Sequence, residues 1–441
     1  MKKFFVSVGL AAASAAGVQM AQAGVDSKDW SVSASLRGFY DDNYSTAPNK
    51  TGSYGIEFSP EISISVPLQQ TEIGLRYTYG LYYYQQRDEI GVDAIDQSHQ
   101  VDVWLDHAFD ERWHGRISDT FVVGQEPALL SPVPAGSPPG TTTLPYRVKG
   151  DNIANTALFT LDTDWTRELS TEVSYQNNFY DYQNSGGTTN ASLPSYILLA
   201  GPSLAGLLNR DEQLVALNLQ WHIASQTMAY VGYQFEQVNY LGDEPVAFTP
   251  FLTMNNGFYY SKDRDNRSHY FYVGIQHNLL ANLAVSARVG ATYTEYYNDP
   301  LSSPSTSPYA EVSATYTYMP GSYAQIGFSH VRNATDVINP STTDGRITQD
   351  QESSMLYASI NQHITSKFLA TIIGSWQYST FYEGAFDNQS DKTYSLGLNL
   401  NYAFTKHFSA ETGYNYDNLQ SGIAGRGYSR NRVYLGVAAA F

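Results

Sequence analysis

The stretch YSLGLNLNYAF, residues 394–404, alternates without a break. Tyr394, Leu396, Leu398, Leu400, Tyr402 and Phe404 are apolar or aromatic, and Ser395, Gly397, Asn399, Asn401 and Ala403 between them are small or polar. Successive side chains of an extended chain point to opposite faces, so the pattern predicts a strand with one greasy wall and one polar wall. Its polar wall carries no charge, unlike a sheet face that meets bulk solvent.

The pattern recurs along the chain. In YGIEFSPEISISV (54–66), Tyr54, Ile56, Phe58, Ile62, Ile64 and Val66 share one parity, and Gly55, Glu57, Ser59, Glu61, Ser63 and Ser65 the other. VDVWLDHAF, QLVALNLQWHI, HYFYVGIQHNL, LAVSARVGATY and AEVSATYTY repeat it. Such segments run about ten to fifteen residues, long for a globular strand and suited to a tilted membrane strand. Their connections alternate in length. Tight turns such as VPLQQTEI, AFDERWHG, HIASQTMA and AFTKHFSA are separated by long polar loops near 41–53, 87–96, 126–150, 183–209, 241–264, 297–307, 333–350, 382–390 and 420–427. The tally predicts an all-β fold, an antiparallel up-and-down transmembrane barrel of about eighteen strands with short periplasmic turns and long extracellular loops. Closure leaves no unpaired edge in hydrocarbon, which is why a barrel can place its greasy wall against lipid.

Aromatic residues fall where such a barrel meets the two headgroup layers. Phe109, Trp165, Trp221, Tyr318, Phe404 and Phe408 flank the tight turns, and Tyr40, Tyr54, Tyr79, Phe179, Tyr378 and Tyr416 lie towards the long loops. The beginning MKKFFVSVGLAAASAAGVQMAQA reads as a signal peptide over 1–23, with Lys2 and Lys3 before an apolar run and Ala21 and Ala23 at the cleavage positions. A short periplasmic segment over 24–29 and one barrel domain over 30–441 are then expected, exported to the bacterial outer membrane. No segment after residue 23 has the ~20 consecutive apolar residues of a membrane helix. With 42 acidic against 25 basic residues the chain is not built for nucleic acid, and without cysteine it has no disulfide or thiolate metal site.

The chain ends RVYLGVAAAF, with Val433, Leu435, Val437, Ala439 and Phe441 on one face. This resembles the terminal strand by which the barrel-assembly machinery recognises outer-membrane proteins, and it makes Phe441 the candidate assembly signal. RGFYDDNYST, closing the first strand, and FSPEISIS in the second resemble the start of the family called putative β-barrel porin 2. That resemblance implies an outer-membrane porin-like barrel without catalytic residues.

The pairs Ser268–His269 and Ser329–His330 are adjacent in strands and so point to opposite faces, which keeps them from acting as nucleophile and base. His107, His222, His277, His363 and His407 lie near tight turns on separate strands, without metal-ligand spacing. The acidic runs DSKDW, YDDN and KDRDN lack the spacing of an EF-hand loop. No enzyme, cofactor or metal is expected. On the lumen parity stand Glu57, Glu61, Glu72, Asp102, Asp106, Asp162, Asp164, Glu172, Glu212, Glu236, Glu311 and Glu411, opposed by Arg37, Arg76, Arg116, Arg288, Arg430 and Arg432. Two loops stand out. PALLSPVPAGSPPGTTTLP (127–145) is too proline-rich for a strand, and ASLPSYILLAGPSLAGLLNR (191–210) is too apolar to dangle in water. Ile197, Leu198, Leu199, Leu204, Leu207 and Leu208 in the second are a candidate constriction or subunit contact. The expected function is a porin-like passive channel for small hydrophilic solutes or ions, with weak cation preference. Its expected partners are outer-membrane lipid, the assembly machinery and a possible second copy of itself. The alternative is a non-conducting surface or assembly protein whose loops bind polysaccharide or a protein.

Overall fold

A computed structural model describes residues 29–91, 93–124, 152–183, 202–253 and 255–441. The expected signal peptide and the proline-rich segment 127–145 lie outside these residues. The first strand of the described residues is β1 (Trp30–Asp41), followed by the tight hairpins β2 (Ser53–Pro67) with β3 (Thr71–Tyr84) and β4 (Ile95–Ala108) with β5 (Trp113–Gly124). Then come β6 (Asn152–Asp164) with β7 (Leu169–Tyr182) and β8 (Arg210–Ala224) with β9 (Thr227–Tyr240). A minor hairpin, β10 (Pro245–Phe248) and β11 (Phe258–Tyr260), stands in the next long loop. The wall continues with β12 (Asn266–Leu280) and β13 (Leu283–Glu295), β14 (Ser305–Met319) and β15 (Ser322–Ala334), β16 (Asp350–Thr365) and β17 (Phe368–Tyr382), and β18 (Ser390–Ala403) and β19 (Phe408–Ser421). β20 (Tyr428–Ala440) is last.

Eighteen of these strands form one antiparallel sheet in sequence order, with β9 pairing β12 past the minor hairpin. The sheet closes where β1 pairs β20, from Ser33↔Ala440 to Asp41↔Arg432. Barrel strands of 12 to 16 residues, tilted as closure requires, cross a hydrocarbon layer of about 30 Å.

The opening stretch lies in β18 and runs into the turn after it, and its parity is as expected. Leu398, Leu400, Tyr402 and Phe404 are exposed to the outside, as are Val433, Leu435 and Val437 on β20. Phe109, Trp165, Trp221, Phe404 and Phe408 are all at least half exposed at the tight-turn end, and Tyr40, Tyr54 and Tyr378 are exposed at the other. A barrel that shows lipid its Leu, Val and Ile has its ordered packing on the inner wall, where aromatic rings lie flat over glycines of the neighbouring strand. A Cβ built on Gly232 would stand 2.1 Å from the Tyr272 ring, and one on Gly74 would stand 1.9 Å from Trp104. Gly274 under Tyr230, Gly327 under Tyr357 and Gly413 under Tyr434 repeat the arrangement. These glycines leave room for rings along the wall instead of across the lumen.

The long loops hold more order than their composition suggests. Among the described residues they contain two short α-helices, α1 (Gln85–Glu89) and α2 (Leu204–Leu208), as well as the β10–β11 hairpin. Ser203 starts α2, its Oγ accepting from the Gly206 N–H at 3.0 Å.

Candidate functional site: the inner wall and its loop cap

Strand parity places the charged residues named above opposite the exposed apolar ones, as Glu57 stands between the exposed Ile56 and Phe58. Many are paired across strands. Arg37 on β1 donates to Glu57 on β2 at 2.7 Å and to Glu411 on β19 at 2.6 Å, and Arg432 on β20 donates to Glu57 at 2.7 Å. Arg430 on β20 bonds Asp41 on β1, giving the closing seam a buried network of both signs. Elsewhere Arg288 meets Glu311 at 2.5 Å, Arg210 meets Glu212 at 2.7 Å, and Arg116 and His114 both meet Asp106.

Other carboxylates have only neutral hydrogen-bond donors among the described residues. Glu61 accepts from Thr78, Glu72 from Ser65 and Trp104, Asp102 from Gln100 and Thr120, Glu172 from Asn218, and Glu236 from Tyr270 at 2.6 Å. Arg76 lies over the Trp104 ring. Asp162 stands 3.9 Å from His114, and Asp164 is exposed at the tight-turn end of β6. Carboxylates therefore exceed guanidinium groups on this parity.

At the long-loop end the loops between β7 and β16 assemble a small apolar core of their own. Leu207 and Leu208 of α2 pack with Val246, Ala247, Leu252, Tyr259, Ile338 and Ile347, and Leu204 lies against them. Ile197, Leu198 and Leu199 lie outside the described residues. Arg264, with no exposed surface, ties three loops together, donating to the Leu207 carbonyl at 2.8 Å and the Thr335 carbonyl at 2.7 Å. Ser203 donates from N–H and Oγ to Glu244, while Tyr259 and Gln349 donate to Asp299. Burial raises the Asp299 carboxyl, in the loop between β13 and β14, above its ordinary value, and pushes Asp265, at the foot of the loop before β12, up to about 6. Arg426 fastens the loop after β19 to this cap by a bidentate bond to Asp336, 2.8 Å on each arm. Of all this only the leucines of α2 stood out in the sequence; the run VAFTPFL (246–252), equally apolar inside a loop, was the missed signal.

The histidines serve the wall. His107 bonds Thr71, His222 bonds Ser170, His277 bonds Thr227, and His407 bonds the Ala440 carbonyl, all beside tight turns. Among the described residues no three His, Asp or Glu side chains converge as metal ligands would. Ser268 bonds Thr294 and His269 bonds Tyr233, so that pair is divided between the two faces. His330 instead meets a serine across strands, Ser354 at 2.8 Å, with Glu352 3.8 Å from its other nitrogen. That second nitrogen makes no hydrogen bond, so the carboxylate does not orient the ring as a triad acid does.

A closed barrel with an apolar outside, two aromatic belts and a polar inner wall is a transmembrane protein of the bacterial outer membrane, porin-like in form. The family model described as "putative beta-barrel porin 2" matches residues 333–441. No curated protein matches the chain. Among solved structures, the chain is similar to Acinetobacter baumannii OccAB4 at 13% identity and TM-score 0.44, covering 94% of this chain and 99% of that one. It is similar to Pseudomonas aeruginosa OccK9 at 10% identity and TM-score 0.41, with 94% and 99% covered. For Pseudomonas aeruginosa OccK2, in complex with glucuronate, the values are 9%, 0.42, 94% and 98%.

Proposed function

We propose that the barrel is a passive, non-enzymatic channel for small hydrophilic solutes with a weak preference for cations. The observation that carries this is the set of inner-wall carboxylates that have no cationic partner among the described residues: Glu61, Glu72, Asp102, Glu172 and Glu236. A water-filled wall with an excess of one sign concentrates counter-ions. Arginine pairing trims the excess and a Debye length of about 8 Å at physiological salt screens it, so the preference is weak and strongest at low salt. Rings laid flat over glycines keep bulk out of the path, and the cap, with Leu204, Leu207 and Leu208 in its core, narrows the outer mouth.

Single-channel recording in planar bilayers tests both parts. The expected result is discrete conductance steps, with a reversal potential in a potassium chloride gradient displaced towards the potassium equilibrium value. A clear anion preference would overturn the lumen assignment. Absence of conductance from correctly folded protein would favour the second reading, a non-conducting surface or assembly protein that binds polysaccharide or a protein partner through its loops. The apolar core of the cap, more than a simple channel needs, is the observation on that side.

A further inference from the structure

Where β7, β8, β9, β12, β13, β15 and β16 reach the long-loop end, the inner wall forms a partly open pocket of about 50 Å³, room for a few water molecules. Its charged lining is Arg210, Arg332, Glu212, Glu236 and Asp350. Arg210 is engaged by Glu212, and Arg332 donates to Asp350 Oδ2 at 2.5 Å, where Tyr296 also donates. Two acceptors remain. Asp350, 2% exposed, keeps its Oδ1 buried with no hydrogen-bond partner. Glu236 is met by the Tyr270 hydroxyl alone, with no cation at ion-pair distance among the described residues. Ser268, Thr294, Asn266 and Asn333 add hydroxyl and amide groups to the lining.

A half-buried carboxylate with no cation at ion-pair distance among the described residues is costly, and so is a buried acceptor left without a donor. One small cation answers both, because it supplies the missing charge and either N–H donors or a coordination shell for oxygen ligands. We propose that this pocket is a binding subsite for a small monovalent cation, ammonium or an alkali ion of similar size. The shared chemistry is a single positive charge in a compact, oxygen-lined space. A divalent ion does not fit a net charge of one, and a quaternary ammonium offers no donor and is too bulky. The subsite deepens the channel reading, because a cation held at the mouth would be the first stop of a permeating one.

The test uses the full chain refolded in detergent and in bilayers. Line broadening of ¹⁵N-labelled ammonium chloride by the protein reports binding without any need for conduction. Broadening is expected with the parent, competed by potassium chloride and not by tetramethylammonium chloride at equal ionic strength. It should be lost in Glu236→Gln and retained in Tyr270→Phe, which leaves the carboxylate in place. In bilayers, conductance in ammonium chloride should saturate with concentration in the parent and stay near linear in Glu236→Gln. Absence of broadening in the parent, or equal broadening in Glu236→Gln whose folding is verified by heat-modifiable migration, would overturn the subsite even if the barrel conducts. Competition by potassium shows that the site accepts alkali ions; broadening that potassium leaves unchanged would overturn the alkali half of the proposal. Broadening with no conductance would keep the subsite and overturn the channel.

Discussion

Gly232 faces Tyr272 directly across the β9–β12 pair, and the Tyr272 hydroxyl donates to Asn218 on β8 at 2.8 Å. A valine at 232 would displace the ring from the wall and break that bond. Overpacking of this kind costs about 1–3 kcal/mol, so Gly232→Val should lower the urea midpoint of the folded band on unboiled gels. An unchanged midpoint would show that the ring has somewhere else to go. Asp119 departs from the pattern in the other direction. It shares the outward parity of Ile117 and Phe121, both exposed, and sits opposite Val103 and Ala157, with Asn155 alone among the described residues bonding it, at 3.0 and 3.1 Å. An acidic group on the lipid side costs free energy at depth, less for Asp than for Lys or Arg. The double substitution Asp119→Val with Asn155→Val should therefore stabilise the isolated barrel by about 1–2 kcal/mol. A loss of stability would mean that the pair is used where it stands. The residue was legible in RISDTFVV, since parity alone puts it outside. Strand period tells which wall a side chain joins, and the inward list followed from it. It says nothing of whether a carboxylate finds an arginine, because Arg37 reaches Glu411 two strands and 374 positions away.

At the level of elements, each hairpin follows from local alternation and a tight turn, which is why the wall could be drawn from sequence. The cap could not be drawn, because its core takes one or two side chains from each of several loops and no local period marks them. Leu207 and Leu208 drew notice as an apolar run, while Ile347 stands singly between Arg346 and Thr348, and Ile338 and Tyr259 belong only to the short runs Val337–Ile338 and Phe258–Tyr260. If α2 narrows the mouth, replacing residues 202–208 by a short Gly/Ser linker should raise single-channel conductance without loss of the barrel, since no wall strand is touched. Equal conductance with weakened subunit association would assign the leucines to a contact between copies. The cap should also answer to pH. Asp265 is raised to about 6 by burial, against an ordinary carboxylate value near 4. The folded loop thus binds this proton more tightly than an unfolded one, so order in the loop is gained as pH falls through about 6 and lost as it rises. Amide exchange across 241–265 should slow, relative to intrinsic rates, between pH 7 and pH 5. Faster exchange at pH 5 would show that the bonds Asp265 accepts from the Tyr240 N–H and Asn298 outweigh the cost of its burial.

For the whole molecule the decisive contact joins the two ends of the chain. Closure between β1 and β20 is the most non-local pairing in the barrel, the kind that forms late, and a slip of one residue would turn a lipid face inward. Backbone bonds between Val32 and Phe441, at 2.9 and 3.2 Å, fix the tight-turn end of that seam, and the Phe441 ring stacks on His407. Removing Phe441 should reduce surface levels and protease protection of the assembled protein; unchanged levels would deny it a part in assembly. Further up, Glu411, Gly436, Arg37 and Glu57 fall in one row across β19, β20, β1 and β2. Gly436 is what lets the row connect: a Cβ there would stand 2.7 Å from Arg37 Cγ, in the path by which the guanidinium crosses β20 to Glu411. Arg432 on β20 then reaches back to Glu57, so two arginines and two glutamates of four strands are satisfied only in this register. Taking away one partner of such a buried network costs about 3–5 kcal/mol, while removing both partners costs much less. Glu57→Gln should accordingly lower the urea midpoint and weaken resistance to unfolding in detergent, because Arg432 loses its ion pair with Glu57 and Arg37 loses one of its two carboxylates. Glu57→Gln combined with Arg432→Gln should recover most of the loss. If the single variant is as stable as the parent, backbone pairing alone holds the seam. If the double variant is no better than the single, the register depends on the charge of Glu57 towards Arg37 rather than towards Arg432.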